Sequence, residues 1–447
     1  MIIITYLTFI ILEMELYQEL TKKQIRMIGR DIKVIFSIKG ITFPQNIEDI
    51  QKLGFFSPRV KIQDKEIYLS EEGTSALKRI SDIVHNTNRY KNGLNYNDIY
   101  QSVLCEFSTW FSKELTPDVN SFFISLDVTL SKINKKTHFI CRIDGISIDE
   151  LVNLNVGGKT IKYYNGIDLN NASDVNDNIK EIIEHEYKNS LVIVGYECGS
   201  ESVALEKFYF NANLSLSVLR LYSCALYQRA IHNVNIRLIN DCMHSYGVAS
   251  CIGQDEGSKG LRFIKYFRST QDFTIDKELL EHLRKDMFFD TISSLVGKES
   301  RNELENAIIK SLYWIGESQK DQSHSSAFVK LWSALECFFT LGEGNITERN
   351  ARGITSIIMF GEFHHKKFES YSLLKRKIKN HYKSRSKVIH HADFSHIDNF
   401  QLEEMSFISS WVVIAMVALL ERGYTKLIDI GLEAQRLDTI YNEKEVR

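Results

Sequence analysis

"AIIKSLYWIGESQKDQSHSSAFVKLWSALECFFTLGEG", residues 307–344, decides the fold of the C-terminal part of this chain. Two apolar runs, within 301–318 and 324–341, read as helices. The polar segment GESQKDQSH between them and the GEGN that follows are short, as antiparallel helix neighbours require. Trp332, Phe338 and Phe339 are expected in the core.

Moving outward, the sequence has no proline after 273, because its 3 prolines all fall near its start, at Pro44, Pro58 and Pro117. Further helices are expected near 275–295, 346–360, 369–390 and 399–422, with a short one near 430–442. Residues 300–425 therefore form an up-and-down bundle of four or five helices within a helical region, 273–447. Upstream, from 121 to 272, the period shifts towards two. "SFFISLDVTL", "THFICRIDGISI", "KTIKYYNGI" and "SLVIVGYEC" read as strands, as do "NVNIRLIN" and "LRFIKYF", with one helix around "VALEKFYFNANLSLSVLRLYSCAL". Residues 1–120 mix helical stretches, such as "TSALKRISDIVHNTNRY", with extended ones. The expected class is α+β: a mixed α/β N-terminal region followed by an all-α bundle.

In "NLNVGGKTIKYY" the G-K-T invites a phosphate-loop reading, but Asn153 stands where that loop needs glycine. The flanking alternation suits a two-residue hairpin turn at Gly157-Gly158 instead.

Composition narrows the function classes. Among 447 residues 44% are apolar and 25% charged, and the net charge is −2, so any nucleic-acid contact must come from a local patch. The 7 cysteines (Cys105, Cys141, Cys198, Cys224, Cys242, Cys251, Cys337) are scattered, odd in number and lack C-x-x-C, which favours reduced thiols in a cytoplasmic protein. Cys242, His244 and Cys251 fit no common zinc spacing, so no metal or other cofactor is expected. The start, "MIIITYLTFIIL", is apolar for about twelve residues where a membrane span needs about twenty. A strand or buried helix start is expected there, or an artefact if Met14 is the true start; no membrane partner is expected.

The chemistry concentrates in 366–391. Lys366, Lys367, Lys375, Arg376, Lys377, Lys379, Lys383, Arg385 and Lys387 face a single acid, Glu369. Such a run tracks a phosphate backbone or is a solvated face. Arg385 and His390 lie about 140° apart on one helix, so a shared phosphate requires the helix to end between them or two chains to meet. His381 and Tyr382 share the face of Arg385.

Arg385-Ser386-Lys387-Val388-Ile389-His390 resembles the R-x4–6-H motif of the HEPN superfamily. The "LWSALE" helix upstream, with Ala334-Leu335-Glu336, is similar to the Apea-like branch, over about 300–425. The resemblance implies a metal-independent ribonuclease acting as a homodimer on RNA. His390, or alternatively His391, takes the proton of a ribose 2′-OH, and Arg385 stabilises the phosphorane-like transition state. Ser386 stands where the family most often has asparagine, and His391 where it often has glycine. Glu336 is expected to orient Arg385 or a histidine. Lys375, Lys379, Lys383 and Lys387 are expected along the RNA backbone; Tyr382 either stacks on a base or packs, and packing is preferred. The resemblance further implies a toxic effector of prokaryotic antiviral or abortive-infection defence, with a phage-derived trigger or an inhibitory partner acting through the N-terminal region. The alternatives are a non-catalytic HEPN scaffold that binds RNA or protein, and a bundle partnering a nucleotidyltransferase.

Overall fold

Asp118 overturns one expectation at the outset. Its side chain accepts from the Ser121 N–H, and a helix runs from Val119 to Ile133, where "SFFISLDVTL" had been expected as a strand. Phe122, Leu126 and Leu130 are buried four residues apart, so the decisive period is helical and the N-cap selects it over the aromatic and β-branched content.

The computed structural model describes residues 15–42, 58–62, 65–149, 153–166, 178, 181, 185–227, 229–238, 248–253, 262–267, 271–340, 345–360, 370–391 and 397–445. The start of the chain, Lys366, Lys367, Cys242 and His244 lie outside these, and so does the side chain of Cys251. The fold is α+β with a helical C-terminal region. Its residues form two compact units, 1–139 with 196–208 and 140–195 with 209–447.

In the first unit the helix Lys22–Ile35 starts at a Thr21/Gln24 capping box and packs against Glu71–His85. Tyr96–Ser112 and Val119–Ile133 complete the layer, and Ile28, Ile32, Leu77, Ile80, Phe107 and Phe122 lie in its core. A small antiparallel sheet has the order Ile41–Thr42, Lys65–Leu69, Arg59–Ile62.

The second unit contains most of a five-stranded sheet, in the order Leu154–Val156, Lys159–Tyr163, Leu191–Gly199, Lys135–Asp144, Arg237–Leu238. The first two strands form the expected hairpin. Val156 pairs with Lys159, and Gly157 and Gly158 have φ of 60° and 75°, the double left-handed turn that matches strand twist. A Cβ on Gly157 would lie 2.3 Å from Val296 Cγ1, so this turn also seats the sheet on a helix. Among the described residues of "NVNIRLIN", 233–238, only Arg237–Leu238 is strand. "LRFIKYF" pairs as Arg262–Phe267 with Val248–Gly253.

The helix expected over 275–295 is two, Lys277–Asp286 and Phe289–Gly297. They part at Phe288, whose φ of 59° breaks the helical path. The bundle follows as Glu303–Lys320, His324–Phe339, Ile346–Phe360, Tyr371–His391 and Asn399–Glu421. The last helix is no short tail: Leu427–Glu445 has 19 residues. Asn399–Glu421 is the one helix among the described residues long and apolar enough to cross a membrane. Inside the protein 83% of its apolar window is buried, as befits a central core helix surrounded by others.

Candidate functional site

The helix Tyr371–His391 carries the site. Its inner face is Tyr371, Leu374, Ile378, His381 and Val388, all buried at helical spacing. Part of the positive charge visible along this segment is neutralised by carboxylates from other helices. Lys375 Nζ lies 2.7 Å from both Asp438 Oδ1 and Glu348 Oε1, and Lys379 pairs with the same Glu348. Lys377 and His381 both pair with Glu404, His381 Nε2 at 2.9 Å.

Lys375 is therefore corrected: it is 9% exposed, and the ammonium is enclosed by two carboxylates instead of facing a phosphate backbone. His381 does not join Arg385 either; it turns inward to Glu404 and to the edge of Phe328. What remains outward is a stripe at alternating four- and three-residue spacing: Arg376, Asn380, Lys383, Lys387 and His390, with His391 beside it, all exposed. Arg376, Lys383 and Lys387 have no ion pair among the described residues.

Arg385 points elsewhere. Glu336 Oε2, on the helix His324–Phe339, accepts from Arg385 Nη2 at 3.0 Å, with both side chains below one-fifth exposed. The guanidinium sits 5.6 Å from the centre of the Tyr382 ring, which meets Trp332 edge-on at 5.4 Å. Tyr382 thus packs, as preferred from the sequence. Arg385 Nε is buried and has no hydrogen-bond partner among the described residues. Burial pushes the Glu336 carboxyl above its ordinary pKa, and the charge and hydrogen bond of Arg385 offset this only in part.

Glu336, Arg385 and Tyr382 are thus brought together. His390 and His391 are not: the helix continues unbroken to His391, so the about 140° between Arg385 and His390 is retained. Ser386 is half-buried next to Arg385. Sequence reasoning missed the Lys375–Asp438–Glu348 and His381–Glu404 groups, whose acids are far away along the chain. Among the described residues no three His, Cys, Asp or Glu side chains are grouped to hold a metal.

Compared with family models, curated proteins and solved structures, the chain matches none.

The Glu404 group gives a pH dependence. Burial alone would raise its pKa, but hydrogen bonds from His381 and Lys377 hold it below the ordinary carboxylate value. A carboxylate depressed in the folded state stabilises above its unfolded pKa, and that stability is lost as pH falls through the folded value. The chain is thus expected to lose stability as pH drops below about 4.3, the unfolded glutamate value. Glu404→Gln is expected to lower the urea midpoint at pH 7 and to flatten the loss below pH 4.3. An unchanged acid limb in this variant would show that Glu404 does not carry it.

Proposed function

We propose that the C-terminal bundle is a HEPN-type, metal-independent endoribonuclease that works as a homodimer. The observation that supports this best is the clamped Arg385: Glu336 and Tyr382 fix the guanidinium on a helix whose outer stripe is cationic and ends in two exposed imidazoles. A guanidinium oriented this way presents further donors to phosphate oxygens. His390 or His391 from the other copy takes the 2′-OH proton, and the attack leaves a 2′,3′-cyclic phosphate and a 5′-OH. On this reading RNA runs along Arg376, Lys383 and Lys387, with Lys379 at its margin. The N-terminal region restrains or triggers the nuclease in a cytoplasmic antiviral system, a role that rests on the resemblance alone.

The divergence of Arg385 from the histidines also favours a second reading, a non-catalytic bundle that binds RNA or a protein. Products separate the two. In excess EDTA the full-length protein is expected to cut RNA, leave cyclic-phosphate ends and spare DNA, which lacks the attacking hydroxyl. RNA bound but never cut would favour the scaffold, and cutting restored only by Mg²⁺ would sink the metal-free mechanism.

A further inference from the structure

The helix Lys22–Ile35 of the first unit is cationic along one side. Lys22, Lys23, Arg26, Arg30 and Lys33 are all exposed. At about 100° per residue these side chains fall within an arc of about 100°, centred opposite the buried Ile28, Asp31, Ile32 and Ile35. None of the five has an ion pair among the described residues. The single acid of the helix, Asp31, is turned inward: it is 3% exposed, and Arg79 Nη2 lies 2.6 Å from its Oδ1.

The start of this helix runs against its dipole. Lys22 and Lys23 stand in the first turn, where the positive end of a helix disfavours cations, and no acid offsets them there. The capping box is closed by the neutral Gln24, where a glutamate would serve equally and would set a negative charge beside the arc. A local preference broken twice in one turn, with no compensating ion pair among the described residues, marks a surface shaped for something outside the chain.

We infer that this face docks on the phosphate backbone of a nucleic-acid duplex, without reading its sequence. Lys22 to Lys33 spans about 16 Å of helix, a length over which a duplex presents about ten phosphates. Each cation can therefore take its own phosphate. Single-strand binders add aromatic platforms for the bases, and the arc has no aromatic side chain. A helix that lies on a membrane inserts its apolar face, whereas the isoleucines opposite this arc are buried in the core. Protein interfaces are poor in lysine and centre on large apolar anchors. Here three of the five cations are lysines, and Met27, at the edge of the arc, is only 36% exposed. The face lies in a different unit from the basic helix Tyr371–His391 and stands whether or not the bundle cuts RNA.

Anisotropy of a labelled, mixed-sequence DNA duplex of about 20 base pairs, titrated with the full-length protein between about 50 and 200 mM NaCl, tests the inference. DNA lacks the 2′-OH, so binding is read without cleavage. With five contacts, the logarithm of the binding constant should fall with the logarithm of salt at a slope of about −4.5. Lys22→Gln, Arg26→Gln and Arg30→Gln together should bring the slope to about −1.8 and weaken binding by about tenfold or more at the lowest salt. Arg376→Gln, Lys383→Gln and Lys387→Gln together remove the same net charge and should leave the slope as it is. If the first triple variant does not fold, the wild-type slope and the second variant decide. A wild-type slope shallower than about −2, loss of binding in the second variant instead of the first, or equal affinity for a single strand overturns the duplex face. So does tighter binding to vesicles rich in phosphatidylserine, or displacement of the DNA by polyglutamate as readily as by unlabelled duplex of equal charge.

Discussion

Lys375→Ala is expected to destabilise the protein by about 3 kcal/mol, because removing one member of a buried ion group leaves the others charged and unpaired. The group is compact: the ammonium bridges Asp438, 13% exposed at its side chain, and Glu348, 34% exposed. Partial exposure of Glu348 lets water recover some of the loss, which places the effect at the lower end of the range for buried pairs. Burial by itself would depress the lysine pKa, but hydrogen bonds to Asp438 and Glu348 raise it above the ordinary value. A lysine raised in the folded state stabilises fully below its unfolded pKa, about 10.4, and the contribution fades only as pH rises through the folded value. At neutral pH the whole effect is thus present. Lys375→Met combined with Asp438→Leu should recover most of the loss, since apolar replacement of this pair removes the stranded Asp438 charge while Lys379 still neutralises Glu348. Urea midpoints of the three proteins check this. A Lys375→Ala protein within about 0.5 kcal/mol of wild type but weakened in RNA binding would return Lys375 to the RNA face.

That residue also shows what a sequence discloses. Counting charge along 366–391 finds one acid, because the partners of Lys375 come from other helices, Asp438 being 63 residues away. Local counting cannot see such pairing, and so it overstates the cationic face. Turn chemistry, by contrast, is local. Gly157-Gly158 was legible because two successive left-handed residues are nearly a glycine signature. The bounds Ile346–Phe360 were legible to the residue. The split at Phe288 was not, since a left-handed aromatic is imposed by packing and leaves no compositional mark. The "SFFISLDVTL" segment is legible in principle: Asp118 and the four-residue spacing of Phe122, Leu126 and Leu130 carry the helix against residue preferences that favour a strand. Within the site, the Arg385–Glu336 contact spans 49 residues and came from the family resemblance. The divergence of Arg385 from His390 followed from helix geometry alone.

The same divergence yields the most discriminating catalytic experiment. Arg385→Ala and His390→Ala are each expected to lower RNA cleavage by about a thousandfold, the former through lost charge stabilisation and the latter through a lost base. If each cleft takes Arg385 from one chain and its histidine from the other, a mixed dimer of the two variants holds one doubly defective cleft and one intact cleft. Random reassortment makes about half of the dimers mixed, so co-refolded variants should regain about a quarter of wild-type activity across a two-fold interface. A cleft built from one chain's own Arg385 and His390 gives no rescue, because every cleft then lacks one group. The unbroken helix to His391 argues against that arrangement. His391→Ala in the same assay identifies the imidazole: a mild effect leaves His390 as the base, and a loss equal to that of His390→Ala transfers the role. If mixing restores nothing while both variants bind RNA as tightly as wild type, the composite cleft is wrong. If neither single variant loses activity, the stripe is a docking surface and the bundle is not the nuclease.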